Sequence, residues 1–207
     1  MITDRPPRNK KSLAQFRESD RLTSFALPPD PELARSAQII ESVMKEGSRA
    51  EVAQACAEFL RAVASFYGVR HPEVRALDAR PLRVREGGLQ IELFGDYSLR
   101  DARIRIWTRT AVRKQVTSFG TFLSTLCHEF CHHLDCQKFG FSQSPHTRGF
   151  YERTALLYHH ARGTPAKRLF WIEMPGGRWR IDWRRMNSVQ QTADQIARLS
   201  SRSYSGK

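Results

Sequence analysis

Apolar side chains recur at helical spacing in two stretches of the first third of the chain. The first stretch ends near Gly47. The second opens at Ser48, whose spacing to Glu51 is that of a capping box, and it ends near Gly68. The preceding residues 1–28 are polar, basic and interrupted by proline, so we expect them to form a mobile arm. The pattern predicts two N-terminal helices after this arm.

The period then changes from helical spacing to strict alternation. Residues 82–85 and 89–93 alternate between apolar and polar side chains around a Gly-Gly turn, which predicts a hairpin. Gly95 marks a break, and residues 103–108 alternate again as a third strand. Helical spacing returns in the next two predicted elements, which cover residues 118–138 and 148–160.

The last part of the chain predicts a second hairpin and a final helix. Residues 170–173 and 179–183 flank a Pro-Gly-Gly turn, and an amphipathic pattern runs over 188–199. The whole order predicts an α+β fold: N-terminal helices, a short sheet, two further helices, a C-terminal hairpin and a helix. A chain of 207 residues suits one domain, which we place at 29–207.

Composition adds a strong positive charge to this picture. The formal net charge of +13 favours contact with polyanions such as nucleic acid. No run approaches the roughly 20 apolar residues of a membrane helix, and no apolar segment follows the first charges, so we expect no membrane partner and a cytoplasmic location. Three of the four cysteines share one predicted helix, which favours reduced thiols over disulfides.

The helix predicted over 118–138 carries the motif H-E-x-x-H at His128, Glu129 and His132. Because a helix advances about 100° per residue, histidines four apart lie about 40° from each other and can reach one metal ion. Zinc with three protein ligands lowers the pKa of a bound water towards about 7, and a neighbouring carboxylate can take the proton. The motif predicts a zinc site with Glu129 as general base.

The motif alone leaves the third zinc ligand open. The metzincin extension would require glycine at position 135 and histidine at position 138, where this chain has Asp135 and Lys138. Two candidates lie further along the chain: His146 at the start of the next helix, and Glu152 inside that helix. Cys136 is a weaker alternative.

Four segments carry a resemblance to a known family. They are Phe-Gly-Asp-Tyr at 94–97, the strand at 103–106, the metal helix at 128–133, and His-Thr-Arg-Gly-Phe at 146–150. Together they resemble the SprT-like metalloprotease domain, the group that includes Spartan. The resemblance covers about residues 80–160. The family usually has glycine directly after the third histidine, where this chain has Thr147.

The resemblance implies a small zincin-like metalloprotease domain with a defined ligand set. Carried over position by position, it implies that His128, His132 and His146 bind zinc. It also implies that Glu129 is the general base and that Phe150 lies behind the site. We therefore favour His146 over Glu152 as third ligand.

The resemblance to the group of Spartan also implies cleavage of proteins bound or crosslinked to DNA. In the basic part at 161–207, Trp171, Trp179 and Trp183 are interleaved with arginines, a pattern that can contact phosphates and stack on bases. The same alternation also suits a hairpin whose tryptophans face the core.

Three functions follow as hypotheses. The first is a zinc endopeptidase that acts on a protein or peptide substrate, with DNA-associated proteins as one class. The second is a basic nucleic-acid-binding protein with a catalytically idle zinc site, and the third is a peptidase with one dedicated protein substrate. Glu129 favours the first, because a structural zinc site needs no carboxylate beside its ligand. We expect the strand at 103–108 to pair with an extended substrate backbone.

Overall fold

The computed structural model describes residues 1–29, 31–84 and 90–188. In chain order these residues form α1 (Lys10–Arg21), α2 (Glu32–Glu46), α3 (Arg49–Tyr67), β1 (Glu73–Ala79), β2 (Leu82–Val84), β3 (Gln90–Glu92), β4 (Gly95–Ser98), β5 (Arg103–Arg109), α4 (Phe119–Gln137), α5 (Arg148–Arg162), β6 (Trp171–Met174) and β7 (Arg178–Ile181). Their order confirms the α+β class predicted from the sequence.

The main sheet has three strands in the order β1-β5-β4. Strand β5 pairs in parallel with β1 on one side and antiparallel with β4 on the other. The expectation that residues 103–108 pair with a substrate is therefore wrong, because both hydrogen-bonding edges of β5 are occupied. Among the described strands, β4 is the edge strand of this sheet that packs against α4, the metal helix, which carries the H-E-x-x-H motif.

Strands β1 and β4 were not predicted, and β4 replaces what the sequence indicated as a break. Gly95 is the first residue of β4, and at this residue the strand lies directly on α4. A Cβ atom at Gly95 would be 2.6 Å from Cγ2 of Thr125 and 3.0 Å from Cγ of Glu129. Real Cβ atoms do not approach other atoms this closely, so only glycine lets β4 contact the metal helix.

Both predicted hairpins are present as antiparallel pairs. Strand β2 pairs with β3, while the turn at 85–89 lies outside the described residues. Strand β6 pairs with β7 across the Pro-Gly-Gly turn. Residues 183–188 are helical, and the predicted final helix lies outside the described residues from 189 onward. In the part of the chain that the structure covers, no helix combines the length and apolar character needed to cross a membrane.

The helices carry the core and begin at clear sequence signals. Helix α3 has the predicted capping box between Ser48 and Glu51. Helix α4 begins after Ser118, whose side chain accepts a hydrogen bond from the backbone of Thr121. One face of α4 is buried against α5 and the main sheet, and this face holds the apolar residues whose helical spacing predicted the element. The opposite face of α4 is left for the metal motif.

The mobile arm expected over residues 1–28 is not what the structure shows. Helix α1 is capped by Asn9 and buries Phe16 and Ser19. It packs so closely on the first turn of α5 that a Cβ atom at Gly149 would lie 2.1 Å from the carbonyl oxygen of Ser19. Polar contacts and the close approach at Gly149 hold this segment in place. The spacing of apolar residues does not reveal such contacts, so the sequence pattern did not predict an ordered segment.

A buried ion pair connects α1, α4 and α5. The side chains of Arg153 and Asp135 are 1% and 0% exposed and their N···O distance is 2.6 Å. Arg153 also donates to the backbone carbonyls of Ser19 and Leu22 at the end of α1. Because its charge has no access to water, its stability depends on these partners.

We predict that Arg153→Met lowers the free energy of unfolding by roughly 3–5 kcal/mol, because the substitution leaves the Asp135 carboxylate buried without a counter-charge. Urea denaturation of the metal-free protein measures this value. Arg75→Met is the control, since Arg75 pairs with Glu73 on the surface with both side chains about half exposed. The control variant should keep the wild-type denaturation midpoint, and an equal midpoint for Arg153→Met would contradict the prediction.

Candidate metal centre

Three histidines meet at one point between α4 and the loop that leads to α5. The ligand nitrogens of His128, His132 and His146 all lie within 4.8 Å of one another. The Nε2 atoms of His128 and His146 are 3.1 Å apart. His128 and His132 share a face of α4, whereas His146 stands one residue before Thr147, the N-cap of α5. The third ligand that the resemblance implied is thus brought to the other two.

The spacing of these nitrogens fits a single metal ion. Two nitrogens bound to one tetrahedral zinc at about 2.0–2.1 Å stand roughly 3.3 Å apart. The three rings also pack around Phe150, which is fully buried, with ring-centre distances of 4.9 Å, 4.5 Å and 5.2 Å from His128, His132 and His146. Phe150 therefore lies behind the cluster, as the resemblance implied, and limits the rotation of its rings.

His132 is oriented by a chain of buried polar groups. Its Nδ1 atom is 2.7 Å from the Ser144 hydroxyl, which donates over 3.0 Å to Asp135. Asp135 in turn holds Arg153. Because the Ser144 proton goes to Asp135, Ser144 accepts from the Nδ1–H group of His132, and this tautomer leaves Nε2 free as a metal ligand.

His146 is contacted from the N-terminal segment. Its backbone N–H donates to the Asp4 carboxylate over 2.9 Å, and its Nδ1 atom lies 3.4 Å from the same Asp4 oxygen. The opposite ring nitrogen, Nε2, faces His128. As with His132, the outer nitrogen meets a partner and the inner nitrogen faces the cluster.

The electrostatics of the cluster favour neutral imidazoles. Burial and the charge of His146 lower the pKa of His128 to about 3. Burial together with His128 and His146 lowers the pKa of His132 well below its ordinary value. Metal ions bind neutral imidazole, so at neutral pH no proton has to leave these two ligands before a cation binds.

Glu129 lies beside the histidines and is only 6% exposed. Burial, with a smaller contribution from the charge of Asp96, raises the pKa of its carboxyl group to about 8. Asp135 is also buried, but its carboxylate faces Ser144 and Arg153, whereas Glu129 lines both cavities beside the cluster. Such a perturbed acid in a cleft is typical of a functional site.

The cluster stands at the junction of two cavities. Gly95, His128, Glu129 and His146 line both of them. One cavity, of about 470 Å³, has a polar, acidic wall that includes Asp4, Asp96, Gln143 and Ser144. The other, of about 790 Å³, is mostly apolar and includes Leu93, Phe94, Tyr151 and Tyr158. Together they form a cleft that extends to both sides of the candidate metal position.

The alternative ligands are engaged elsewhere. The Glu152 carboxylate accepts a hydrogen bond from Nε1 of Trp171 over 3.0 Å and is not part of the cluster. The Cys136 thiol donates to the carbonyl of Phe141, and all four cysteines are free, as expected. His133 faces away from the cluster, because its two ring nitrogens contact the Tyr97 hydroxyl and the Arg70 carbonyl.

Sequence reasoning missed the groups that orient the ligands. Asp135 had one visible signal, because it follows His132 by three residues and an acidic side chain at that spacing shares the helix face of the metal motif. Ser144 had only its position in the loop before His146. Asp4 had no signal, since it is 142 residues away from His146 along the chain.

Comparison with known proteins identifies no relative of this chain, so the function of the site has to be inferred from its geometry. No family model matches this chain, and no curated protein or solved structure matches it. The likeness to the SprT-like domain is therefore a prediction from the motif residues. What the structure shows is a three-histidine cluster that can hold a metal ion.

We predict that His128→Ala, His132→Ala and His146→Ala each abolish or greatly weaken metal binding, because three protein ligands are the minimum of a catalytic zinc site. Elemental analysis of purified protein should give about one metal ion per wild-type chain. Glu152→Gln is the matched control and should keep wild-type metal content. Metal retained in His146→Ala but lost in Glu152→Gln would move the third ligand to the glutamate.

Proposed function

We propose that this protein is a zinc-dependent metallopeptidase that hydrolyses internal peptide bonds of a protein or peptide substrate. The observation that carries the proposal is Glu129. Its buried carboxylate stands beside a three-histidine cluster and lines both halves of the cleft. A site that only held a structural metal would need neither the carboxylate nor the open cleft.

Zinc is the metal that suits these donors best. The cluster offers three imidazole nitrogens, a set typical of zinc, whereas calcium and magnesium prefer oxygen ligands. Bound at three protein ligands, zinc supplies a Lewis acid that polarises a carbonyl group and lowers the pKa of a water molecule to about 7. His128, His132 and His146 would hold it, and Phe150 and Ser144 keep two of these rings in place.

The part of Glu129 is to move a proton. Its carboxylate takes a proton from the attacking water and passes it to the nitrogen of the departing amine. Burial raises the pKa of Glu129, and a cation on the neighbouring histidines would oppose that rise. A bound cation would therefore favour the ionised carboxylate, which is the form that accepts the proton.

The shape of the cleft supports cleavage inside a chain. A polypeptide can continue past Glu129 in both directions, because cavities of about 470 Å³ and 790 Å³ meet at this residue. Strand β4 borders the cleft and is one of the two edge strands of the main sheet, so an extended substrate can pair with its backbone. The larger, mostly apolar cavity would receive a bulky apolar side chain of the substrate. The smaller cavity, which has Asp4 and Asp96 in its wall, would receive a polar or basic side chain.

We predict that Glu129→Gln abolishes peptide hydrolysis, with a loss of at least about 10²-fold, while metal content stays at the wild-type level. Incubation with a proteome-derived peptide library, followed by mass spectrometry, reports cleavage positions without assuming a substrate. Cleavage should fall inside the peptides. Glu152→Gln, a half-buried glutamate on the next helix, is the matched control and should cleave normally.

A wild-type protein that carries its metal but cleaves neither peptides nor folded proteins, with or without DNA, would contradict the peptidase proposal. The same assay with DNA-bound proteins as substrates tests the narrower class implied by the resemblance. Faster cleavage of a protein when it is bound to DNA would support that class.

A second candidate function is nucleic-acid binding by the C-terminal hairpin. Trp171 and Trp179 are half-buried, and the guanidinium of Arg148 lies 4.4 Å from the ring centre of Trp179. Trp183 is 47% exposed, and Arg180 and its neighbours after β7 are exposed. Exposed arginines next to an exposed indole can contact phosphates and stack on bases. We propose this surface as the element that would bring a peptidase to nucleic-acid-bound substrates.

We predict that the double variant Arg180→Glu/Arg184→Glu weakens binding of a single-stranded oligonucleotide by about tenfold or more and lowers the salt dependence, because two phosphate contacts are lost. Fluorescence anisotropy at several salt concentrations measures both effects. Arg61→Glu/Arg100→Glu reverses the same number of exposed charges elsewhere and is the control. Equal losses in both variants would indicate an effect of net charge alone.

A further inference from the structure

The first three residues lie beside strand β7 of the C-terminal hairpin and contact it through backbone hydrogen bonds. Ile2 pairs with Arg180 in an antiparallel bridge. The Thr3 N–H donates to the carbonyl of Trp179 over 2.8 Å, and the Trp179 N–H donates to the Thr3 hydroxyl oxygen over 2.8 Å. Thr3 is buried. Asp4, the next residue, lies at His146 of the metal cluster.

Asp4 and His146 hold each other through two hydrogen bonds to the His146 backbone and a contact between the carboxylate and the imidazole ring. The Asp4 N–H donates to the His146 carbonyl over 2.8 Å. The His146 N–H donates to Oδ2 of Asp4 over 2.9 Å, and Nδ1 of the ring is 3.4 Å from the same oxygen. The carboxylate therefore meets the outer ring nitrogen, while Nε2 faces His128. Among the described residues, Asp4 is not one of the three that form the candidate metal cluster, and its contacts with that cluster are to His146.

Helix α1 holds the residues that follow His146. The Asp20 carboxylate accepts from the backbone N–H of Arg148 over 2.9 Å and also pairs with its guanidinium. The hydroxyls of Ser19 and Thr147 are 3.0 Å apart. Residues 146–149 are thus held by Asp4 before α1 and by the end of α1.

His146 needs such support more than the other two ligands do. His128 and His132 are placed by four residues of α-helix, whose backbone hydrogen bonds define their separation. His146 lies in a loop before the first turn of α5, so no regular backbone pattern sets its ring orientation. A metal-ligating histidine usually donates its other N–H to a carboxylate or carbonyl, which selects the tautomer and makes the ligand more basic.

We propose that Asp4 is the positioning residue of the third metal ligand: its carboxylate holds His146 with Nδ1 outward and Nε2 towards the metal. The inference rests on the proposed metal site and concerns metal affinity, so it does not depend on the reaction that the site catalyses. It assigns the N-terminal segment to the metal centre, across 142 residues of sequence.

The test is zinc affinity of the full chain, measured by competition with a chromogenic chelator. Asp4→Ala should raise the apparent dissociation constant by about 10–100-fold, the usual effect of losing such a partner. Asp4→Asn keeps an acceptor oxygen but no charge and should show a smaller loss. Asp78→Ala is the control, because Asp78 pairs with Arg109 and is 58% exposed, close to the 53% of Asp4.

A second pair of variants separates positioning from anchoring of the segment. Thr3→Val removes the hydroxyl that accepts from Trp179 but leaves Asp4 intact, and we expect near-wild-type zinc affinity. In the His146→Ala background, Asp4→Ala should add no further loss, because its effect passes through the missing ring. An additive effect in that background, or a Thr3→Val loss as large as that of Asp4→Ala, would overturn the proposal.

The outcomes also distinguish this proposal from the peptidase proposal. Zinc binding that depends on Asp4, in a protein that cleaves nothing, would support the positioning role and reject the enzyme. Peptide cleavage with zinc affinity unchanged in Asp4→Ala would do the reverse. A wild-type chain that binds neither zinc nor cobalt would overturn both.

Discussion

Arg153 is a fully buried charge, and three parts of the chain meet at its guanidinium group. It pairs with Asp135 on α4, belongs to α5 itself, and donates to carbonyls at the end of α1. Asp135 passes the connection on to Ser144 and so to His132. Burial raises the pKa of Asp135, and its contacts with Arg153 and Ser144 oppose that rise. Removing one member of this network would leave a buried charge or polar group without its partner. The placement of the metal helix relative to the third-ligand loop depends on it.

The chemistry of the site uses an apolar frame around a few polar groups. Gly95 lets the sheet edge reach α4, and Phe150 fills the space behind the histidines. Burial keeps His128 uncharged and raises the pKa of Glu129. The same low-polarity surroundings therefore keep His128 in the neutral form that binds cations and favour the protonated form of Glu129, and the proposed peptidase mechanism would use both effects.

Much of the fold could be predicted because its signals are local. The capping box at Ser48, the alternation in both hairpins and the apolar stripe of α4 each depend on residues only a few positions apart. Strand β4 was missed because its identity depends on contact with another element. Its glycine, which indicates a break in isolation, is what permits the strand to lie against α4. The N-terminal segment was missed for a related reason, since polar contacts with distant residues hold it.

By itself the sequence determined that His128 and His132 share one face of a helix, with Glu129 next to His128 in the chain, because residues four apart on a helix lie on the same face in any fold. It also singled out His146 through its resemblance to a family, but spacing alone left Glu152 open. Only the tertiary structure brought His146 to the cluster and turned Glu152 towards Trp171. It alone brought Asp4 to His146, because a contact between residues so far apart exists only once α1, α5 and the C-terminal hairpin have packed together.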